Sequence, residues 1–471
     1  MGCQVFHGDC RDILDGISVT HIEPFHHVSC LDIPYGGFDS IVTDPPYGIS
    51  FMSKKNKWDY EVPGPEYWER FLRVCKPGAY LIAFGGTRKF HRLYCAIEDA
   101  GWEIRDSIGN LATLLWTFGE GMPKSHGLPQ LIDKYLGLMG PRGAAFSTCG
   151  NLVQDMKGNT PGKLGQHEGI SEEAKKYKGF GIALKPGFEP IVLARKPLEG
   201  TIAENVLKYG TGGLNIDGCR IGNEVVTINR FDDGAKPFGG GAGHPYTSNK
   251  AKGRWPANLM MHHHENCVQS GTMKVRGDNR GDLQGRRGNG FYDVGSDKKG
   301  DGIPNARVYG DEEMEVWNCV DECPIKMMNS AERGRWFSDS DTGPVSRFFY
   351  CGKAKRVERE MGLHGRDETD EQARERMNLH STVKPIELMR WLVRLVTPPG
   401  GVVLDPFGGS GSTGVAACME GFDSVMVELD WKWVTVARKR VAQATVDVGE
   451  ATIEQAEEIG GAVQLGLFGR N

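Results

Sequence analysis

The chain has 471 residues, 39% of them hydrophobic and 25% charged, and a net charge of −5; that length admits two or three domains with a large core, and the balance excludes a disordered or fibrous protein. Gly, at 65 residues, is at about twice its usual share, so tight turns are expected in number. No stretch approaches the ~18 apolar residues of a membrane span and residues 1–20 lack a secretion signal, which points to the cytoplasm, where twelve Cys read as reduced thiols and a candidate metal site rather than a disulfide framework.

In chain order, Phe38–Thr43 (FDSIVT) is a β-rich run stopped by the prolines of Asp44-Pro45-Pro46-Tyr47-Gly48, which predicts a strand ending in a rigid loop. Residues 63–78 place Tyr67, Phe71, Leu72 and Cys75 at helical spacing and end at Pro77-Gly78; 79–84 (AYLIAF) predict a buried strand, 91–101 a helix closed by Gly101, and 102–108 a further strand. Strand and helix alternate, the signature of an α/β sheet. From about 121 to 346 the pattern loosens into glycine-rich loops around one clear strand, 190–194. Within 250–310, 11 Lys and Arg stand against 6 Asp and Glu, a basic patch in an acidic chain that suits phosphate contacts. Pro385 then opens a helix with Ile386, Met389, Leu392 or Val393, and Val396 on one face, which Pro398-Pro399-Gly400 ends. A strand (402–404), the turn DPFGGSGST, a helix (414–421), a strand (424–429) and a helix (431–444) complete a βαβ unit, and an acidic amphipathic stretch with a short apolar end follows.

Two loops carry chemistry. Gly409-Ser410-Gly411-Ser412-Thr413-Gly414 is a GxGxxG between a strand and a helix, with acidic Glu428 at the end of the next strand. Glycines let backbone amides approach a ligand and a carboxylate there accepts ribose hydroxyls, so an adenosine cofactor, a nicotinamide dinucleotide or merely a tight turn all satisfy this motif alone. In the other loop Asp44 and the Pro45 carbonyl are two acceptors held rigid by Pro45 and Pro46, and Tyr47 offers a stacking face. A base-modifying enzyme needs these to hold a flipped base by its exocyclic amine, whereas a dehydrogenase has no use for them.

With these two loops in view, the sequence resembles the amino-methylating DNA methyltransferases, which use S-adenosylmethionine and act on N6 of adenine or N4 of cytosine. TDPPYG (43–48) is similar to that family's catalytic motif, LDPFGGSGST (404–413) to its cofactor loop, HSTVKP (380–385) to the segment beside the methionine end of the cofactor, and GDCRDIL (8–14) to its acidic cofactor contact. The resemblance implies Asp44, Pro45, Pro46 and Tyr47 as catalytic residues, and Asp9, Cys10, Thr382, Lys384, Asp405, Phe407, Gly409, Ser410, Gly411 and Glu428 as contacts to S-adenosylmethionine. Catalytic motif first and cofactor loop last is the permuted order of the β group. It implies a Rossmann-like methyltransferase sheet formed by both ends of the chain (1–200 and 346–445), an inserted loop-rich target-recognition domain (201–345) and a C-terminal tail (446–471). The implied reaction is direct in-line methyl transfer to a flipped base in double-stranded DNA, as part of DNA methylation and restriction–modification, and Asp before Pro-Pro-Tyr leans to N6 of adenine. N4-cytosine methylation is the alternative. C5-cytosine chemistry needs a nucleophilic Cys, usually after Pro; Glu204-Asn205-Val206 resembles one C5 motif, but the chain has no Pro-Cys. A nicotinamide oxidoreductase and a catalytically idle DNA-binding protein are the readings from other classes.

Two satellite features remain. His264, Cys267, Cys319 and Cys323 form two ligand pairs of the kind a structural zinc ion takes, with His262 or His263 able to replace His264. Gln464-Leu465-Gly466-Leu467-Phe468 is similar to the peptide by which bacterial proteins bind the DNA-polymerase sliding clamp through Gln464, Leu465, Leu467 and Phe468; packing against the preceding helix is the other reading, and a homodimer is left open.

Overall fold

A computed structural model describes residues 2–15, 36–49, 59–105, 113–117, 127–138, 168–184, 187–230, 247–264, 266–275, 307–309, 312–330, 344, 346, 349–352 and 383–458. Thr382, the peptide 464–468 and residues 276–306 of the basic stretch lie outside the described residues. The first half carries β1 (Cys3–His7), α1 (Cys10–Asp15), β2 (Phe38–Thr43), α2 (Pro65–Val74), β3 (Cys75–Phe84), α3 (Phe90–Asp99), β4 (Glu103–Ile104), β5 (Thr113–Thr117), α4 (Leu128–Tyr135), α5 (Glu172–Lys175), β6 (Phe188–Arg195) and α6 (Ile202–Tyr209). There follow β7 (Ile221–Arg230), β8 (Thr247–Arg254), β9 (Leu259–His262), β10 (Val268–Val275), β11 (Arg307–Tyr309), β12 (Glu312–Asn318), α7 (Pro324–Ser330), β13 (Tyr350–Gly352), α8 (Ile386–Val396), β14 (Val402–Asp405), α9 (Ser412–Met419), β15 (Asp423–Glu428) and α10 (Trp431–Glu458).

The main sheet runs β1-β15-β14-β2-β3-β6-β5-β9-β13, with β4 also on β6. Its first five strands are mutually parallel, β6 is antiparallel to β3, β4 and β5, and β5, β9 and β13 are parallel again. The architecture is therefore mixed α/β around a mostly parallel sheet, as the alternating pattern predicts, and both ends of the chain contribute strands. The period of two is plain in the packing: Ile41, Leu81, Ala83, Leu404 and Val425 face one apolar layer with Trp68 and Phe71 of α2, while Val42, Ile82, Phe84 and Val403 face another with α8. In α2, Pro65 sits in the first turn, where its missing N–H is harmless, and Trp68, Phe71 and Val74 are buried at helical spacing. Eight of the eleven residues of α8 are buried, so this helix is covered nearly all round instead of showing a single apolar stripe.

Strands β2 and β14 are fastened at both ends. At the start, the Asp39 carboxylate accepts the Val402 N–H at 2.8 Å and the Lys76 ammonium at 2.7 Å, and the Ser40 and Thr397 hydroxyls lie 2.8 Å apart. At the finish, the Thr43 hydroxyl donates to Asp405 at 2.6 Å. These clasps hold the two chemistry-bearing loops side by side.

Three boundaries differ from the sequence reading. β3 begins at Cys75, ahead of the Pro77-Gly78 punctuation, and the irregularity shows instead as a register shift against β2 between Phe38 and Ser40. The strand expected over 102–108 is described only as Glu103–Ile104. The middle stretch, read as loops, holds an antiparallel three-stranded sheet β11-β7-β8 and the ribbon β10-β12, and β9 returns to the main sheet beside β5. Its strands escape a periodicity test because β10 (VQSGTMKV) is exposed at all positions but Val275, so no apolar alternation marks it. Polar pairing holds them: the buried Arg254 guanidinium bridges Glu224 at 2.5 Å and binds both oxygens of Glu312, at 2.8 and 2.9 Å. Among the described residues no helix is long and apolar enough to cross a membrane.

Candidate active site

The prolines carry the chain out of β2 so that Asp44 and Tyr47 turn back on the sheet's end. Asp44 Oδ1 accepts the Tyr47 hydroxyl at 2.8 Å, and Oδ2 lies 2.8 Å from the ammonium of Lys384, the residue two before α8. Lys384 also donates to the Tyr47 hydroxyl oxygen at 3.0 Å and pairs with Glu189 of β6 at 3.2 Å, while its Nζ stands 4.8 Å from the centre of the Phe84 ring. The Tyr47 hydroxyl lies 3.2 Å from Glu189 as well, but its single proton goes to the shorter contact, Asp44. Burial pushes the Glu189 carboxyl above its ordinary range against the pull of Lys384; burial followed by the charges of Asp44 and Glu189 pushes Tyr47 well up. For Lys384 burial opposes the charge, yet the combined attraction of Asp44 and Glu189 exceeds it and raises the pKa. The ammonium therefore stays charged in a nearly closed site. A carboxylate offers about four lone-pair sites, and two at Asp44 are directed at Tyr47 and Lys384.

The glycine turn lies at the end of β14. Asp405 Oδ1 accepts the Thr43 hydroxyl and the Phe407 N–H (3.1 Å), and Oδ2 the Thr413 hydroxyl at 2.6 Å. Burial raises its pKa to about 6, with the threonine hydroxyls holding it down. This carboxylate is wholly engaged in shaping the turn. At Gly411 the backbone is left-handed (φ 86°), and a Cβ would stand 2.8 Å from the Ala437 Cβ, so only glycine lets the turn close on α10. From beneath, the fully buried Arg440 donates to the Ser410 carbonyl at 2.7 Å and to its hydroxyl at 3.1 Å. Beyond the turn, Glu428 Oε2 accepts the Gly409 N–H and Oε1 the Asp430 N–H, each at 2.8 Å; burial raises its pKa.

β1 brings Asp9 to the same end of the sheet. Its carboxylate takes Arg11 Nη2 at 2.6 Å and Nε at 3.0 Å, and these bonds lower its pKa. The Arg11 guanidinium lies 4.9 Å from the centre of the Tyr67 ring, which is 6.1 Å from Phe407. Cys10, by contrast, points into the apolar layer, where burial pushes its thiol up to about 12 and leaves it a neutral core group. Asn205 is spent internally on the Glu199 N–H and on the Pro77 and Thr211 carbonyls, so Glu204-Asn205-Val206 does structural work. Asp44 and Tyr47 are thus brought together with Lys384 and Glu189, while Asp9, Phe407, Gly409 and Glu428 gather around the neighbouring strand ends. Glu189 and Arg440 escaped the sequence reading. A Glu opening the apolar strand EPIVLA, and an Arg breaking the buried stripe Val434, Ala437, Val441, Ala444, are the signals that mark them.

In a second cluster the ligand atoms of His263, Cys267, Cys319 and Cys323 fall within 4.8 Å of one another. The histidine is His263 rather than His264. The His263 Nδ1 is 3.3 Å from Cys319 Sγ and 3.8 Å from Cys323 Sγ, whereas His264 Nδ1 accepts the Asn266 N–H at 3.1 Å.

The mostly parallel sheet thus carries a glycine turn at one strand end and an Asp-Pro-Pro-Tyr turn at the adjoining one, and parts of the chain are similar to DNA methyltransferases. Residues 297–439 match the family model N6_N4_Mtase, described as DNA methylase. Type II methyltransferase M.HinfI of Haemophilus influenzae is 39% identical over 64 residues, 14% of this chain and 18% of that one. M.Cfr9I of Citrobacter freundii is 30% identical over 128 residues (27% and 42%), and M.HindIII of Haemophilus influenzae 23% over 174 residues (36% and 44%). The chain thus spans less than half the length of these relatives. Among solved structures, PvuII DNA methyltransferase (cytosine-N4-specific) aligns at a TM-score of 0.35 and 10% identity, covering 96% of this chain and 93% of that one. The M1.HpyAVI–SAM complex aligns at 0.33 and 12% identity, covering 93% and 99%.

Proposed function

We propose that the protein methylates an exocyclic amine of a base in double-stranded DNA, N6 of adenine in the first instance, with S-adenosylmethionine as methyl donor. The observation that carries this reading is the Thr43–Asp405 clasp, which sets the Asp44 turn and the glycine turn at adjoining strand ends. The donor would lie along the glycine turn, with Glu428 on its ribose and Asp9 and Phe407 near its adenine. The left-handed Gly411 closed on α10 and the half-buried Glu428 carboxylate suit such a ligand. When bound, it supplies a methyl group on an electrophilic sulfonium.

The chain's own residues do the rest. An exocyclic amine is a weak nucleophile because its lone pair is delocalised into the ring; hydrogen bonds from its N–H groups to Asp44 and the Pro45 carbonyl localise that pair toward the methyl group. Asp44 and Glu189 against Lys384 leave one net negative charge when both carboxylates are ionised, which stabilises an amine becoming cationic. The proton passes to water after transfer, and no covalent bond to the protein forms. Flipping brings the base to Tyr47, and the basic residues of 250–310 would grip phosphates. Relatives named Type II methyltransferases favour a place in restriction–modification. The tail 464–468 would add sliding-clamp binding, which a synthetic peptide of these residues tests directly.

The decisive experiment incubates the protein with unmethylated genomic DNA and labelled S-adenosylmethionine, digests to nucleosides and identifies the product by mass spectrometry, with Asp44→Ala alongside. N6-methyladenine lost in Asp44→Ala, with cofactor binding retained, is the expected result. N4-methylcytosine keeps the mechanism and changes the base; no product from folded, cofactor-binding protein overturns the enzyme reading in favour of an idle DNA binder.

A further inference from the structure

We propose that His263, Cys267, Cys319 and Cys323 hold one tetrahedral zinc ion that fastens the base of the β10–β12 ribbon to the main sheet. Zinc bonds of about 2.3 Å to sulfur and 2.0–2.1 Å to nitrogen set the edges of a tetrahedron at roughly 3.5–3.8 Å. His263 Nδ1 stands 3.3 and 3.8 Å from two of the sulfurs, and all four ligand atoms lie within 4.8 Å of one another. Three sulfurs and an imidazole in four-coordinate reach suit zinc, and a disulfide would use only two of the thiols and leave the third and the histidine without a role.

The chain prepares each ligand. His263 follows directly on β9, which pairs with β5 and β13 in the main sheet. Its ring stacks on Trp317 at 4.3 Å and 22°, which fixes the ring plane. Cys267 and Cys323 each close a turn, donating their N–H groups to the His264 carbonyl at 2.9 Å and the Val320 carbonyl at 3.2 Å. Cys267 immediately precedes β10 and Cys319 immediately follows β12, and the ribbon's first pair is Val268 with Asn318. The ion would therefore join both ribbon strands at their root to the edge of the main sheet.

The ribbon needs such a fastening. β10 is exposed at all positions but Val275, and among the described residues the cluster at its root has Met261, Cys267, Cys323 and Ile325 buried, with Trp317, Val320 and Phe349 partly buried against them. Binding of Zn²⁺ by three thiols and a neutral imidazole releases three protons and leaves one net negative charge. Lys326, which donates to the Cys319 carbonyl at 3.2 Å, lies beside it.

The test uses full-length protein purified under reducing conditions without a metal-affinity tag. Elemental analysis is expected to find about one zinc per chain, released stoichiometrically by an organomercurial. Cys319→Ser is expected to fall well below half an equivalent, while Cys95→Ser, at an exposed position, keeps the full complement. Should Cys319→Ser fail to fold, cobalt loading of the wild-type chain decides the matter through tetrahedral ligand-field bands and thiolate-to-cobalt charge transfer. Wild-type protein without zinc and without those bands, or zinc retained in folded variants of Cys267, Cys319 and Cys323, overturns the proposal.

Discussion

Lys384→Met probes the charge arrangement around Asp44 with little change in volume, since the stem over Phe84 is retained. The Lys384 side chain is 6% exposed, and its ammonium meets Asp44 at 2.8 Å, Tyr47 at 3.0 Å and Glu189 at 3.2 Å. Removing one partner of a buried ion pair costs about 3–5 kcal/mol, and here two carboxylates lose the same cation. The loss depends on pH with a definite sign. Glu189 already titrates above the ordinary carboxyl value because of burial, and Lys384 is the strongest influence holding it down. Without Lys384 the folded-state pKa rises further, so the penalty is absent below the unfolded value and grows as pH rises toward the folded one. Urea unfolding followed by circular dichroism at pH 5 and pH 8 is therefore expected to show the larger destabilisation at pH 8. Adding Glu189→Gln removes one of the two stranded charges and is expected to recover part of the loss at pH 8. A Lys384→Met chain within about 0.5 kcal/mol of wild type at pH 8, a loss that grows on acidification, or a double variant weaker than the single one would refute the account.

Three further outcomes follow from the cofactor end. Asp405, raised to about 6 from 3.8 by burial, makes wild-type stability fall between pH 4 and pH 6 by roughly 3 kcal/mol, and Asp405→Asn is expected to flatten that slope in urea titrations; an unchanged slope contradicts it. Gly411→Ala combines a left-handed backbone (about 1–2 kcal/mol) with overpacking on Ala437 (about 1–3 kcal/mol) and should weaken S-adenosylmethionine binding at least tenfold by calorimetry, whereas Gly421→Ala, left-handed but with open space around it, carries only the first cost. Arg440→Met removes the buried donor to Ser410 and is expected to cost about 1–3 kcal/mol and raise the cofactor Kd more than it lowers the rate at saturation; unchanged affinity would mean that the turn holds its shape without the arginine.

Four strands of the parallel core, β2, β3, β14 and β15, were readable because each obeys a local rule, whereas β1 was not read. Phe38–Thr43 ends where two prolines end it, and the turn from Leu404 to Thr413 has the glycines that its backbone demands. The site was readable in its loops and not in its supports. Nothing near Asp44 in the chain points to Glu189 or Lys384, which arrive 145 and 340 positions later through strand order and helix placement. Thus Lys384, read with the segment beside the methionine end of the cofactor, is also an ion-pair partner of Asp44, and Cys10, read with Asp9 as near the adenine, lies among buried apolar residues. The ribbon and the three-stranded sheet were unreadable for another reason: Arg254, Glu224 and Glu312 are buried, and burial of charges reverses the hydrophobic pattern on which such reading depends.

The pairing of β2 with β14 also dictates an order of events at the ribosome. Thr43 and Asp405 are 362 residues apart, an interval that takes roughly 20–70 s to synthesise at 5–20 residues per second. During that time β2 can pair with β3 and β3 with β6, so the half of the sheet that bears Asp44 can assemble while one flank of β2, with Phe38 and Ile41, stays uncovered. Only when the chain beyond residue 401 emerges do β14 and β15 cover that flank and give β1 a neighbour. Until those residues emerge, the nascent chain carries an open parallel edge at β2.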